Sequence, residues 1–192
     1  MRREQSIDSG WFEALYREQG DPWQFETSAY EHDKYAHTLA VLPPRLGSVL
    51  EVGCAIGVLT QRLAPRCDRL LGVDVSETAL AAARRRCAAL PQVTLEARRL
   101  PEAPPPGAFD AILLSEVLYY WDAADLARMA DYIGAALRPD GLLLLVHWTG
   151  ETDYPQSGDE AVTALHRRLG PRIAVLRQER RERYRLDLWR RR

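Results

Sequence analysis

The stretch from Val49 to Asp74 restricts the fold of this chain more than any other part of it. A short apolar run ending at Val52 is typical of a buried parallel strand, and Gly53 and Gly57 follow it. Glycine lets the backbone turn sharply and lets a ligand approach without a Cβ in the way. A helix can then begin, and a second apolar strand ends at Asp74. This unit predicts an open α/β sheet that binds a ligand at the carboxyl ends of its strands.

The spacing of the glycines distinguishes two kinds of nucleotide site. A dinucleotide fingerprint reads G-x-G-x-x-G. With its first glycine at Gly53, Ala55 and Val58 stand where the other two glycines should be, and a pyrophosphate would be crowded. The order Glu51, Gly53, Gly57 instead resembles E/D-x-G-x-x-x-G, which is motif I of the class I S-adenosylmethionine (SAM) methyltransferases.

This resemblance gives roles to two acids. It implies that Glu51 and the glycines surround the methionine part of the cofactor, and that Asp74 holds the ribose hydroxyls. The competing interpretation is an ordinary strand-to-helix turn without a ligand. An acid before the turn and another after it, both at the expected distance, favour the cofactor site.

Composition bounds the class of protein. The chain has 192 residues, 46% of them hydrophobic, and a net charge of -1, which favours one globular domain and gives no bulk attraction to nucleic acid or membrane. No apolar run approaches the roughly 18 residues of a membrane helix, and no signal peptide is evident. The three cysteines form no C-x-x-C pair, which suits reduced thiols. We expect a cytoplasmic monomer or weak dimer without a nucleic-acid or membrane partner.

Strands and helices alternate through the middle of the chain. Such alternation implies crossover connections and a parallel sheet covered on both faces. Two further helices, at about 7–18 and 28–42, are predicted to form a cap at residues 1–45. The core at 46–148 is predicted to contain strands at 49–52, 70–73, 93–97, 109–115 and 142–147 and helices at 58–63, 76–90 and 122–137.

The last part of the chain, 149–192, departs from this alternation. After a polar loop and a helix at 159–169, two strands are predicted at 173–178 and 184–189. In the second, Tyr184, Leu186 and Leu188 alternate with Arg185 and Asp187, which predicts one buried and one wet face. Residues 177–192 include eight arginines and only three acids. An edge hairpin with a charged, solvated surface is favoured over an RNA-binding patch.

The fold class predicted is therefore a doubly wound, Rossmann-like, mostly parallel sheet of seven strands in a single domain. Its C-terminal hairpin is antiparallel and its N-terminal cap is helical.

Four segments in combination extend the resemblance beyond the superfamily; the Pro-Trp and Glu-Val-Leu-Tyr-Tyr segments narrow it, whereas motif I is specific only to the superfamily. The four segments are Asp21-Pro-Trp23, Tyr30-Glu31 with Lys34, Glu51-Val-Gly53-Cys54, and Ser115-Glu-Val-Leu-Tyr-Tyr120. Together they resemble the nodulation-type (NodS-like) N-methyltransferases, small enzymes that methylate the free amine of a deacetylated chito-oligosaccharide. The likeness extends over most of the chain, to about residue 165.

The family resemblance implies further cofactor contacts. Trp23 would cover the cofactor, and its alternative is simple packing within the cap. Lys34 would pair with the carboxylate of the cofactor, and its alternative is a solvated surface cation. Where relatives have an acid for the adenine amino group, this chain has Arg99, which cannot accept a hydrogen bond. Backbone atoms would read the adenine instead, and Leu100 would pack on the ring. The full predicted set for the cofactor is Trp23, Lys34, Glu51, Gly53, Cys54, Ala55, Gly57, Asp74, Val75, Arg99, Leu100, Ser115, Glu116 and Tyr120.

Two residues are candidates for catalysis. Glu116 and His147 follow or end strands at the predicted ligand-binding edge, where a carboxylate or imidazole could orient an attacking amine and take its proton. Their alternatives are a helix cap for Glu116 and a structural histidine for His147. Tyr119 and Tyr120 could orient acceptor or cofactor. No zinc-type spacing of histidines and cysteines is present, so no metal is expected.

The acceptor is expected to be a small molecule. The loop from Trp148 to Gly158, with Asp153 and Tyr154, should border its entrance, and aromatic and acidic residues suit a sugar that carries an amine. The predicted function is N-methylation of an amino sugar or oligosaccharide. The alternatives are O-methylation of a small metabolite and a non-catalytic SAM-binding regulatory module.

Overall fold

Helices and strands alternate through residues 2–192, the part of the chain that the computed structural model describes. The helices are α1 (Ser9–Gln19), α2 (Ala29–Ala40), α3 (Val58–Leu63), α4 (Glu77–Arg86), α5 (Ala123–Ala136) and α6 (Gly158–Leu169). The strands are β1 (Leu46–Val52), β2 (Cys67–Asp74), β3 (Val93–Ala97), β4 (Phe109–Ser115), β5 (Leu137–Trp148), β6 (Ile173–Arg180) and β7 (Tyr184–Arg191).

The strands form one seven-stranded sheet in the order β3-β2-β1-β4-β5-β7-β6. The pairs β1–β2, β2–β3 and β4–β5 are parallel, whereas β7 runs antiparallel to both β5 and β6. Parallel neighbours need crossover connections, and the helices between consecutive strands supply them. The predicted doubly wound, mostly parallel sheet with an antiparallel C-terminal hairpin is confirmed.

Short polar side chains define where most helices begin. Each accepts a hydrogen bond from a backbone N–H of the first turn, which satisfies an otherwise orphaned donor. In α6 the capping box is complete, because Glu160 also accepts from the backbone of its cap residue. The capping residues are Asp8 for α1, Ser28 for α2, Ser76 for α4, Asp122 for α5 and Ser157 for α6.

The chain forms two compact units. One is Asp8–Arg99, and the other is Leu100–Arg192 together with the segment up to Ile7. In the Asp8–Arg99 unit, the aromatic rings of Tyr16 and Tyr35 pack with Ile56, a residue of the glycine turn. The Leu100–Arg192 unit has its own core, to which β4, β5, α5 and α6 contribute fully buried side chains. That these units make up a single domain stays a prediction.

The C-terminal hairpin corrects one sequence interpretation. β7 is an inner strand between β5 and β6, and its first six residues are all buried, so both faces are covered and the predicted wet face is wrong. Asp187 has no exposed surface and Arg185 is 9% exposed. Arg185 donates two hydrogen bonds to Asp187, at 2.8 and 2.9 Å, and one to Asp159 of α6 at 2.8 Å. The pairing makes burial of these charges tolerable.

Several element boundaries also differ from prediction, most of all in α4 and β5. α4 ends at Arg86 instead of continuing to about residue 90. β5 begins at Leu137, before the Pro-Asp-Gly turn that was expected to precede it, and Asp140 takes a left-handed backbone with φ 59°. The register between β4 and β5 shifts at this point, which accommodates the turn residues within the strand.

Within residues 2–192, no helix combines the length and the apolar character that crossing a membrane requires. The same residues contain no group of three or more His, Cys, Asp or Glu side chains that could hold a metal ion.

Candidate functional site

The turn after β1 has a left-handed backbone at three alternate positions. The φ angles are 73° at Gly53, 50° at Ala55 and 80° at Gly57. At Gly57 a side chain is excluded twice, by this angle and because a Cβ would lie 3.0 Å from Ala83 of α4. A non-glycine residue such as Ala55 is unfavourable in this region by about 1 kcal/mol or more. Its conformation therefore needs support from elsewhere in the unit.

Asp74 provides that support from the end of β2. Its Oδ2 accepts a hydrogen bond from the N–H of Ala55 at 2.9 Å, and its Oδ1 accepts one from the N–H of Ser76 at 2.9 Å. Burial raises the pKa of Asp74, while these backbone donors oppose the rise. One carboxylate thus fixes the loops that follow both β1 and β2. A carboxylate oxygen has two lone pairs, so these bonds still permit the predicted contact with ribose hydroxyls.

Glu51 is buried beneath the same turn and is 3% exposed. Burial raises its pKa to about 8, the negative charge of Asp74 adds to the rise, and the nearby hydroxyl of Thr60 opposes it. The Thr60 hydroxyl makes no hydrogen bond within 3.5 Å, and Oε2 of Glu51 has no hydrogen-bond partner. Buried polar atoms without partners are rare in folded proteins. Thr60 is a member of this site that the sequence analysis missed.

Lys34 lies on α2 and is 2% exposed, so its interpretation as a solvated cation is wrong. Its Nζ donates to Oε1 of Glu31 at 2.9 Å and lies 5.1 Å from the ring centroid of Tyr30. The next residue, Tyr35, packs against Ile56 of the glycine turn. The only lysine of the chain is therefore buried on the helix that contacts motif I.

Trp23 is partly buried against the same core cluster. Its ring stacks on Phe25 at 5.6 Å between centroids and meets Tyr16 edge-on at 5.7 Å. Packing within the cap is thus observed. Its role as a cover for the cofactor stays a prediction.

The residues predicted near adenine have different environments. The side chain of Arg99 is half-exposed and lies 3.6 Å from the carboxylate of Asp8, the N-cap of α1. Leu100 is buried. The N–H of Arg98 donates to the carbonyl oxygen of Asp74 at 2.9 Å, which fixes the backbone after β3. These contacts make Arg99 a partner of the N-cap of α1, and its place near adenine stays a prediction.

Glu13 of α1 is a residue that sequence reasoning missed. Its carboxylate accepts hydrogen bonds from the hydroxyls of Ser76 and Thr78 at 2.7 Å each and from the N–H of Thr78 at 3.2 Å. These bonds, together with the charge of Arg17, lower its pKa to about 2. α1 is therefore held at the start of α4, immediately after Asp74.

In the Leu100–Arg192 unit, Glu116 follows β4 with a left-handed backbone of φ 59°. Its Oε2 accepts from the hydroxyl of Tyr119 at 2.6 Å and from the N–H of Trp148 at 2.8 Å. The cap of α5 is Asp122, so the interpretation of Glu116 as the cap of that helix is wrong. A strained backbone held by specific contacts is typical of functional positions.

Three tyrosines pack around this carboxylate. Tyr119 stacks on Tyr154 at 5.4 Å between ring centroids, and Tyr120 meets each of them edge-on at 4.7 Å. Burial raises the pKa of Tyr119 and of Tyr120 well above the ordinary range, so both phenols stay protonated and can donate. The sequence prediction that Tyr119 and Tyr120 orient a ligand is compatible with this cluster and stays a prediction.

His147 has no exposed surface. Its Nε2 lies 3.2 Å from the N–H of Leu118 and accepts a hydrogen bond from it, so Nε2 carries no proton in this state. The ring meets Tyr119 edge-on at 5.6 Å. These contacts favour the structural alternative for His147, and its catalytic role remains an untested prediction.

The segment before α1 contacts the residues around this cluster. The N–H of Arg3 donates to the carbonyl oxygen of Asp153 at 2.8 Å, and the N–H of Ile7 donates to that of Tyr120 at 2.9 Å. Arg2 also forms an ion pair with Glu160. These contacts could not be predicted, since a short polar stretch has no periodicity to interpret.

Comparison with known structures places this architecture among the class I methyltransferases. Crystalline N-methyltransferase NodS from Bradyrhizobium japonicum WM9, in complex with S-adenosyl-L-homocysteine, matches with a TM-score of 0.83 at 21% identity, over 96% of this chain and 99% of that one. A presumed methyltransferase from Pseudomonas syringae matches with a TM-score of 0.75 at 41% identity, over 85% of this chain and 100% of that one. The fold is that of a class I methyltransferase.

The family known as Nodulation protein S (NodS) matches residues 13–154, and the chain belongs to this family. Nodulation protein S of Bradyrhizobium diazoefficiens is 36% identical over 128 residues, which are 65% of this chain and 61% of that protein. Its counterpart in Sinorhizobium fredii is 31% identical over 135 residues, 68% and 62% of the two chains. The chain thus spans about three fifths of the length of these relatives. The family resemblance drawn from the sequence is confirmed.

Proposed function

We propose that this chain is a SAM-dependent methyltransferase whose acceptor is the amine of a small molecule, an amino sugar or an oligosaccharide. The observation that carries the proposal is the orphaned carboxyl oxygen of Glu51 under a left-handed glycine turn that Asp74 holds in place. Membership of the Nodulation protein S family supports it. So does the fold shared with an N-methyltransferase that binds S-adenosyl-L-homocysteine.

The residues present fit the cofactor. Glu51 and the glycine turn would surround its methionine part, where Oε2 of Glu51 needs a donor and the ammonium of an amino acid is one. Asp74 would accept the ribose hydroxyls, and Lys34 would pair with the carboxylate. Val75, which follows Asp74, would lie next to the adenine. When bound, SAM supplies a methyl group already activated by its sulfonium.

The chain's own contribution to the reaction is mainly positioning, which in well-oriented reactions accounts for roughly 7–11 kcal/mol of the barrier. An attacking amine must be neutral, because its lone pair forms the new bond to the methyl carbon. The carboxylate of Glu116, fixed by Tyr119 and Trp148, would accept a hydrogen bond from that nitrogen. The proton that the nitrogen sheds then passes to Glu116 or to water.

The same proposal places the enzyme in the cytoplasm. All three cysteines, Cys54, Cys67 and Cys87, are buried free thiols, as expected in a reducing compartment. Burial raises the pKa of each thiol, which keeps them protonated and unreactive.

Calorimetry and labelled methyl transfer test the proposal. We expect micromolar binding of S-adenosylhomocysteine and no response to NADH, followed by transfer of labelled methyl to deacetylated glucosamine oligomers. The matched acceptor control is the N-acetylated oligomer, which has the same hydroxyls and no free amine. Equal labelling of both oligomers would show O-methylation. Cofactor binding without transfer to either would refute the amino-sugar acceptor, and absence of binding would refute the proposal at its first step.

A further inference from the structure

A buried ion pair lies on one face of α2. Nζ of Lys34 and Oε1 of Glu31 are 2.9 Å apart, and the two side chains are only 3% and 9% exposed. Residues three apart on a helix are neighbours, so the pair is set by the helix itself. Taking two charges out of water costs several kcal/mol per ion, so an apolar pair is often as stable as a buried ion pair. Stability alone does not explain why this pair is charged.

The position of the pair connects it with the proposed cofactor site. Tyr35, adjacent to Lys34 on α2, packs in one cluster with Ile56 of the glycine turn and with Val58 and Leu59 of α3. The helix that bears the pair therefore packs against the turn that is proposed to surround the methionine part of SAM.

A lysine alone would be a poorly defined anchor for a carboxylate. Its ammonium is a compact charge on a flexible stem, and burial without a partner would favour loss of the proton. A carboxylate at 2.9 Å counters both effects, because it holds Nζ in one place and favours its charged form. An ammonium has three N–H donors, so it can contact more than one acceptor.

We propose that Glu31 is a positioning residue that holds the ammonium of Lys34 for the carboxylate at the amino-acid end of the cofactor. The inference rests on the proposed function and extends it to a residue that contacts the cofactor only through another. Only ligands that carry the amino-acid end should therefore depend on Glu31 for their affinity.

The experiment compares two ligands by calorimetry on the full chain. S-adenosylhomocysteine has the amino-acid end, and 5′-methylthioadenosine has the same nucleoside thioether without it. We expect Glu31→Gln to weaken S-adenosylhomocysteine about tenfold, the size of one charge-assisted contact, and to change 5′-methylthioadenosine by less than about twofold. Asp33→Asn, which removes an exposed acid from the same helix, should change neither ligand.

A second variant keeps the test independent of folding. Glu31→Asp retains the charge but withdraws it by one methylene, and an intermediate, equally selective loss is expected. Thermal unfolding establishes that each variant is folded before titration. Equal weakening of both ligands by Glu31→Gln, or tighter binding of S-adenosylhomocysteine, would overturn the inference. Failure of the unaltered chain to bind either ligand would instead refute the proposed function.

Discussion

The two units hold their acidic side chains in place by different kinds of contact. In the Asp8–Arg99 unit the acids Glu51 and Asp74 end neighbouring parallel strands, and the turn between them is dictated by glycines a few residues away. In the Leu100–Arg192 unit, Glu116 depends on donors from Tyr119 and Trp148, the second of them on another strand. The first arrangement is local in sequence. The second is assembled by tertiary structure, and the two should respond differently to substitution.

The largest expected effect concerns Glu51 and pH. Its pKa of about 8 lies above the ordinary value of 4.5, so between these values the folded chain binds a proton that the unfolded chain has lost. The contribution of Glu51 to stability is therefore full below pH 4.5 and decreases as the pH rises to 8, by about 4 kcal/mol at most. Denaturant titrations from pH 5 to 8 measure this decrease.

Glu51→Gln provides the decisive comparison, because glutamine has the same shape and does not titrate. We expect its stability to decrease less across the same pH range, because Asp74, whose pKa burial also raises, still titrates. Glu77→Gln, at an exposed acid of α4, should retain the slope of the unaltered chain. The same slope in Glu51→Gln would show that another group is responsible.

The next effect, on turnover, tests the other unit. Replacing Glu116 by glutamine removes the group proposed to orient the amine and accept its proton, and kcat should fall by about 100-fold, at the low end for acid–base groups. Affinity for S-adenosylhomocysteine should change by less than about threefold if the acid acts on the acceptor. An equal loss in kcat and in affinity for S-adenosylhomocysteine would show that Glu116 acts through the cofactor.

His147→Phe sharpens this result. It deprives the N–H of Leu118 of its acceptor, which should cost about 1–3 kcal/mol of stability in a denaturant titration. If the histidine is structural, turnover of the folded variant should stay within a few-fold. A 100-fold loss of kcat in a stably folded protein would restore His147 as a catalytic residue.

The smallest expected effect is at Glu13. Because three hydrogen bonds lower its pKa to about 2, its stabilising contribution is present above the ordinary value of 4.5 and is lost as the pH falls through 2. Glu13→Gln keeps some of these bonds, so about 1 kcal/mol should be lost near neutral pH, a decrease in Tm of about 2–4 °C. The matched control is Glu18→Gln, at an exposed acid of α1. An equal decrease in Tm there would show that the hydrogen bonds of Glu13 to Ser76 and Thr78 add no specific stability.

The same contrast explains what could be predicted from the sequence. Strands β3 and β4 were predicted to the residue, and the turn at Gly53 was interpreted correctly, because short apolar runs and glycine spacing are local signals. The prediction of a wet face on β7 was wrong, because alternation within one strand cannot show that Asp159, 26 residues earlier, pairs with Arg185. Glu13 gave no signal at all, since an acid on a helix normally faces water.

The seclusion of Lys34 has a practical consequence for handling this protein. With its one lysine 2% exposed and engaged by Glu31, amine-directed reagents would find no accessible side chain on this surface. Lysine-to-lysine crosslinkers are therefore poor tools for it. The burial is also useful, because the rate at which the Lys34 side chain is acylated would measure how often α2 opens.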